Sequence, residues 1–145
     1  MTQLAPDAHL TYLIAKVEHQ LTLALDRALE PTGMTLRQFS ALTHIARQPG
    51  LRKAELAHLL LTSPQAVGTL IERLTSMGLV VRESRGRGVA SALRLSDEGL
   101  SRLRLADQIA SRAERDGLSA LAPEEQAETF ARLNRVLESL LANHT

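Results

Sequence analysis

The sequence predicts a mainly α-helical chain with one small β-hairpin. Two long segments with apolar residues at helical spacing lie at about residues 9–30 and 97–141. Between them, at about residues 36–95, two short helical patterns precede two apolar strand-like runs that flank a loop rich in Gly and Arg. The order helix, turn, helix and two-stranded wing therefore predicts a winged helix-turn-helix module between long flanking helices.

The first helix of the central pair is short. Apolar residues recur at three- and four-residue spacings from Ala54 to Leu60, which is typical of a helix with one buried side. Thr62 or Ser63 can then cap the next helix by accepting a hydrogen bond from a free backbone N–H. Pro64 follows, where a missing backbone donor has no cost. We therefore expect a new helix to start near Ser63.

The second helix of the pair has an apolar face and a polar face. Gly78 can adopt the left-handed conformation that ends this helix. Its apolar face is formed by Val67, Leu70, Ile71 and Leu74. The opposite face, which is free to meet a partner, is formed by Gln65, Ala66, Gly68, Thr69 and Arg73. A helix of this size fits the major groove of DNA, and an arginine on the wing can reach an adjacent groove.

The flanking helices each carry a wide apolar stripe. One stripe runs from Leu10 to Leu29, and the other runs from Phe130 to Leu141. A third apolar pattern follows Ser96, which can cap its helix. The stripes are wide for a single chain to cover, so pairing with a second copy would bury them. Packing within one chain is the alternative explanation.

Several motifs occur in a fixed order along the chain. The run from Ala54 to Leu74, the sequence Gly78-Leu79-Val80 and the sequence Leu95-Ser96-Asp97-Glu98-Gly99 together resemble the MarR family of winged helix-turn-helix regulators. Residues 33–42 are similar to the family's segment leading into its second helix, and residues 121–125 are similar to the start of its last helix. The resemblance covers about residues 9–141, so it extends well beyond the central module.

The resemblance implies a homodimeric repressor that binds double-stranded DNA and is released by a small organic ligand. MarR-like proteins dimerise through their terminal helices, and they often bind phenolic or other small organic ligands between these helices and the winged module. Tyr12, His19 and His44 are candidates to line that crevice, although each can equally be structural. A two-fold dimer would set two recognition helices about one DNA turn, ~34 Å, apart and predicts an inverted-repeat operator.

Candidate DNA contacts lie on the second helix of the module. Gln65 can make paired hydrogen bonds to adenine, or it can be a solvated first-turn residue. Gly68 costs about 1 kcal/mol relative to Ala inside a helix. Three explanations for a glycine at this position are open: close approach to DNA, close approach to the preceding helix, and neutral sequence drift. Arg73 can contact DNA or pair with Glu72. The residues that we expect to contact DNA are Ser63, Pro64, Gln65, Ala66, Gly68, Thr69, Arg73, Arg85 and Arg87.

The wing loop departs from the family pattern. Many members carry an Asp-Arg-Arg pattern, whereas residues 83–91 read Glu-Ser-Arg-Gly-Arg-Gly-Val-Ala-Ser and lack the aspartate that braces the wing arginine. Arg87 lies between two glycines, and its planar cation suits a narrow minor groove. We therefore favour Arg87 first and Arg85 second, with a solvated loop as the alternative. Arg82 and Arg94 can instead pair across the hairpin.

Charge is unevenly distributed along the chain. The net charge of the whole sequence is +1. Residues 36–95 contain nine Lys or Arg and three acidic residues, a net charge of +6, and the remainder contains eight basic and thirteen acidic residues, a net charge of −5. A basic module between acidic helices is the expected electrostatic footprint of a phosphate-binding face.

Length and composition limit the other possibilities. With 145 residues, of which 44% are apolar, we expect one domain over residues 1–145 that buries a core. The sequence has no apolar run near 18 residues and no secretory signal pattern at its start, so we expect a cytoplasmic protein without a membrane partner.

No sequence motif indicates an enzyme. The chain has no Cys, which excludes disulfides and thiolate metal sites. The five histidines, at positions 9, 19, 44, 58 and 144, are scattered, so we expect neither a metal site nor a cofactor. Phosphate-loop and nucleophile-elbow patterns are also missing. The remaining alternative is a winged helix that docks proteins or acts as a scaffold without binding DNA.

Overall fold

The computed structural model of the chain describes residues 9–143, so His144 lies outside the described residues. Both long flanking helical regions and the central helix-turn-helix are present at their predicted places. In chain order the elements are α1 (Leu10–Leu29), a short 3-10 helix (Glu30–Thr32), α2 (Leu36–Arg47), β1 (Leu51–Arg52), α3 (Lys53–Leu59), α4 (Pro64–Ser76), β2 (Val80–Glu83), β3 (Ala92–Leu95), α5 (Asp97–Gly117) and α6 (Pro123–Ala142).

The wing is part of a three-stranded antiparallel sheet with the order β1-β3-β2. The predicted hairpin is confirmed, because Val80 pairs with Leu95 and Glu83 pairs with Ala92. The prediction of two strands was incomplete, since Leu51 pairs with Leu93 on the other side of β3. Strand β1 has two residues, too few to show the alternating pattern by which strands are recognised.

The core of the module lies beneath α4. The apolar face of α4 packs against α3 and β2. Each fully buried aliphatic side chain contributes about 1.5 to 3 kcal/mol. The largest fully buried side chains are Leu29, Leu42, Ile45, Leu51, Leu56, Val67, Ile71, Leu74 and Leu79. Burial of one face of α4 leaves its polar face turned outward.

The start of α5 is tied to the segment between α4 and β2. Ser96 caps α5 as predicted, because its Oγ accepts a hydrogen bond from the N–H of Gly99 at 2.9 Å. The same hydroxyl donates to the carbonyl of Gly78 at 2.5 Å. A Cβ atom on Gly99 would overlap the carbonyl oxygen of Leu79. The wing and α5 therefore meet at a joint that requires glycine at position 99.

The two flanking stripes are covered to different extents. Leu25 and Leu29, in the second half of α1, pack against the core, so the explanation by packing within one chain holds there. Residues 9–20 of α1 are exposed, and none of the residues of α6 (123–142) is buried. In α6 the apolar stripe lies open along the whole helix.

Candidate nucleic-acid interface

The exposed face of α4 begins at a capped helix end. The Oγ of Ser63 accepts a hydrogen bond from the N–H of Ala66 at 3.2 Å, and Pro64 occupies the first turn. Ser63 is therefore the cap, rather than the neighbouring threonine. The residues of the predicted contact set that are exposed along this segment are Ser63, Pro64, Gln65, Ala66, Thr69 and Arg73. Their side chains are open to solvent.

Gly68 is the half-buried member of the predicted contact set. The side chain of Lys53, the first residue of α3, lies against it. A Cβ atom built on Gly68 would be 3.1 Å from Lys53 Nζ and 3.5 Å from Lys53 Cε. Of the three explanations for this glycine, the contact favours close approach to the preceding helix.

The two wing arginines differ in their surroundings. The guanidinium of Arg85 folds back onto Gly50, where an added Cβ would lie 2.7 Å from its Nη2. Arg87 is exposed between two glycines that both have positive φ. Arg94 forms an ion pair with Glu83 at 2.7 Å, which confirms for Arg94 the predicted pairing across the hairpin. Arg87 is thus the arginine at the tip of the loop, and Arg85 lies at its base.

Glu55 links the start of α3 to the base of the wing. Its carboxylate accepts a hydrogen bond from the backbone N–H of Arg52 at 3.0 Å, and it pairs with the Arg52 guanidinium at 2.7 Å. These two hydrogen bonds hold the pKa of Glu55 below its usual value, and the positive charge of Arg85 contributes in the same direction. Glu55 therefore offsets part of the positive charge of Arg52 and Arg85 at the start of α3.

The segment from Gly50 to Glu55, which we call the α3 junction, touches both candidate DNA-contact elements. It contacts the wing through Arg85 and contacts α4 through Lys53. Residues at the end of α4 and in β2 also line a shared crevice, which places the first wing strand beside α4. The wing, the α3 junction and α4 therefore lie side by side, with the positive charge concentrated in the wing and the α3 junction.

Sequence reasoning did not single out the residues of the α3 junction. In the sequence, Lys53 contributes only to the net charge of residues 36–95, and Gly50 belongs to no motif. Both act through contacts with residues at least 15 positions away, at Gly68 and Arg85. A lysine at the first position of a helix gives no local signal of such a contact, and the glycine in α4 was equally consistent with close approach to DNA, close approach to the preceding helix or drift.

The predicted ligand residues lie apart from the crevice between α1 and α2. Tyr12 and His19 are exposed on α1, with the ammonium of Lys16 4.7 Å from the centre of the Tyr12 ring, and His44 is half-buried on α2. The crevice has a volume of about 280 Å³. Its lining includes Glu18, Thr22, Asp26, Leu36, Arg37 and Ser40.

The described part of the chain has neither a cluster of metal-binding side chains nor a membrane-spanning helix. Residues 9–143 contain no group of three His, Asp or Glu side chains placed to hold a metal ion. Over the same range, no helix combines the length and the apolar character needed to span a bilayer.

Comparison with known proteins identifies the fold and its relatives. The model of the MarR family matches residues 32–88, which include α2, α3, α4 and β2 but not β3. The HTH-type transcriptional repressor Rv2887 of Mycobacterium tuberculosis is 34% identical over 140 residues, which cover 94% of this chain and 96% of that protein. The chain belongs to the MarR family. This confirms the family resemblance that the ordered motifs indicated.

Solved structures of a MarR-family relative have the same fold. A crystal structure of Rv2887 in complex with salicylic acid has a TM-score of 0.76 and 31% identity, and covers 92% of this chain and 99% of that chain. A crystal structure of the same protein in complex with DNA has a TM-score of 0.75 and 29% identity, with coverage of 90% and 98%. The predicted fold class, mainly α with a winged helix-turn-helix, is confirmed.

Proposed function

We propose that this MarR-family protein is a sequence-specific, double-stranded DNA-binding transcription regulator, a homodimeric repressor that a small organic ligand releases. The observation that carries the proposal is the exposed polar face of α4 beside the basic surface of the α3 junction and wing. Residues 36–95 have a net charge of +6, which suits the phosphates on either side of a groove. In this proposal they are the DNA-binding module, and residues 9–30 and 97–141 form the dimer.

The relatives support DNA binding and regulation by a ligand. Rv2887 is named a transcriptional repressor, and its structures include one complex with DNA and one with salicylic acid. This chain covers nearly the full length of that protein. The match therefore includes the flanking helices as well as the module.

The open stripe of α6 supports a dimer. Phe130, Leu133 and Leu137 are at least 44% exposed in the single chain, which is costly for large apolar side chains in water. A second copy related by a two-fold axis would cover them and present two α4 helices to one duplex. The expected spacing of about one DNA turn, ~34 Å, corresponds to an inverted-repeat operator.

The proposed effector is a small organic molecule bound between the flanking helices and the module. Tyr12 and His19 stay candidates for contact with it, because they lie on the exposed half of α1 that a second copy would cover. His44 is a candidate from the side of α2. The effector would act by binding one dimer geometry more tightly than the DNA-bound geometry.

Binding to the duplex upstream of the protein's own gene tests the proposal. Fluorescence anisotropy at two salt concentrations should show an affinity that falls steeply with salt, since each phosphate contact contributes a slope of about −0.9. Changing both Arg85 and Arg87 to Ala should weaken binding, whereas Arg104→Ala, on the exposed face of α5, should not. Undetectable binding, or no loss in the double variant, would favour a protein-docking winged helix.

The remaining features follow from the proposed role. We propose a cytoplasmic regulator that uses no cofactor and has no catalytic activity. The support is the composition of the chain, which has neither Cys nor a catalytic motif.

A further inference from the structure

The recognition helix α4 is poor in positive charge. Its thirteen residues contain one cation, Arg73, which lies in the last turn, and one acid, Glu72. The first two turns present Gln65, Ala66 and Thr69, which are uncharged. A helix that enters a groove between two rows of phosphates would gain from a cation near its leading end.

The ammonium of Lys53, the first residue of α3, lies beside α4 at Gly68. Lys53 Nζ would be 3.1 Å from a Cβ at Gly68, a separation tighter than an ordinary van der Waals contact. Gly68 is in the middle of α4, where glycine is among the poorest helix formers. Its lack of a side chain leaves room for the ammonium against the helix backbone.

We propose that the missing side chain at Gly68 leaves a gap, which we call the notch, in which the ammonium of Lys53 lies. Helix α3 thereby supplies the cation that the first half of α4 lacks, and this ammonium contacts a DNA phosphate. The inference rests on the proposed DNA-binding function and assigns a role to two residues within it. Lys53 is a DNA-contact residue in this scheme, and Gly68 is a positioning residue.

The position of the notch favours phosphate over a base. Gly68 is half-buried at the side of α4 that faces α3, whereas Gln65 and Thr69 are exposed at the centre of its polar face. The centre of the face reaches the base edges and its sides meet the sugar-phosphate strands. Lysine acts as a point charge on phosphate, without the planar fork that suits guanine.

Lys53→Ala tests the contact. Its affinity should fall about tenfold for each subunit, and so about a hundredfold for the dimer, on the operator and on a duplex of random sequence alike, as expected for one charged contact in each subunit. The slope of log affinity against log salt should decrease by about two, one for each Lys53 of the dimer. Arg104→Ala controls for the loss of one positive charge in each subunit. Unchanged affinity, or a loss confined to the operator, would overturn the phosphate assignment.

Gly68→Ala, made with and without Lys53→Ala, tests the notch. With Lys53 present, the added methyl should push the ammonium away and weaken binding about threefold, while the better helix former raises the urea midpoint of unfolding. With Lys53 already replaced, Gly68→Ala should leave DNA affinity unchanged. A loss that persists there would mean that Gly68 itself approaches DNA. No effect in either background would mean that the glycine has no such role.

The two proposals fail in different ways. If the unmodified protein binds no duplex, the proposed function and this inference fall together. If it binds with the expected salt dependence and Lys53→Ala binds equally well, only the inference is overturned.

Discussion

The central module and the flanking helices use the same amphipathic pattern with opposite results. In the module, Leu56, Ile71 and Leu74 are at most 1% exposed, because α3, α4 and the sheet cover one another. In α6, Phe130 is 72% exposed and no residue of Pro123–Ala142 is buried. The module therefore completes its core within one chain, whereas α6 and the first half of α1 do not.

This difference shows what apolar periodicity can and cannot predict. A stripe at a spacing of three and four residues shows that one face of a helix is suited to burial. It does not show whether the covering surface belongs to the same chain. Charge also differs between the two regions, since residues 36–95 are basic and the remainder of the chain is acidic. The two regions are thus suited to different partners.

Breaking the α6 stripe should have the largest effect. Leu133→Glu with Leu137→Glu places two carboxylates on the surface that we expect a second copy to cover. We expect a monomer by sedimentation equilibrium and an operator affinity lower by at least about a hundredfold, because the two half-sites would no longer be bound together.

The module should stay folded in that variant, since its core does not include α6. Ala131→Glu with Ser139→Glu adds the same charge away from the stripe and should remain dimeric. A Leu133 and Leu137 variant that also stays dimeric would show that the stripe is not the contact between copies.

Gly99→Ala should have the next largest effect, at the joint between the module and α5. Its new methyl would overlap the carbonyl oxygen of Leu79, and the carbonyl carbon would be 2.9 Å away. Backbone atoms on both sides must move, so we expect the free energy of unfolding to fall by about 3 kcal/mol. Urea denaturation measures this change.

Gly78→Ala is the matched control for the joint. Gly78 has a φ of 73°, but a Cβ there would meet nothing within 4 Å. The expected cost is about 1 kcal/mol, from the left-handed backbone alone. Gly99 lies in α5 and has no positive φ, so equal destabilisation by the two alanines would mean that the overlap at Leu79 costs no more than a left-handed backbone.

The elements that sequence reasoning placed correctly depend on local interactions. The caps at Ser63 and Ser96 each accept a hydrogen bond from an N–H three residues later, and Gly78 ends α4 with its own positive φ. Such features need only a few consecutive residues. For this reason the order of helices and the exposed face of α4 could be predicted without a structure.

The parts that were missed depend on residues far apart in the chain. Strand β1 exists because Leu51 pairs with Leu93, and the contact of Lys53 with Gly68 joins two helices across a turn. The return of Arg85 to Gly50 joins the wing to the α3 junction. Each contact depends on how elements pack, which neither periodicity nor charge count encodes.

The smallest expected effect concerns an exposed apolar residue of the module. Leu61, in the turn between α3 and α4, is 91% exposed and has a φ of 52°. A branched side chain in this left-handed conformation costs about 1 kcal/mol, and its exposure returns no burial energy. Leu61→Gly should therefore raise the free energy of unfolding by about 0.5 to 1 kcal/mol and leave the dimer unchanged.

The same substitution at Leu59 should act in the opposite direction. Leu59 is the last residue of α3, where glycine costs up to about 1 kcal/mol in helix propensity. If Leu61→Gly stabilises the protein and Leu59→Gly destabilises it, the gain at position 61 comes from relief of its left-handed backbone and not from the removal of an exposed leucine. If Leu61→Gly instead lowered the free energy of unfolding or weakened the dimer, the side chain of Leu61 would make a stabilising contact. Leu61 would then resemble the apolar stripe of α6, which we expect a second copy to cover.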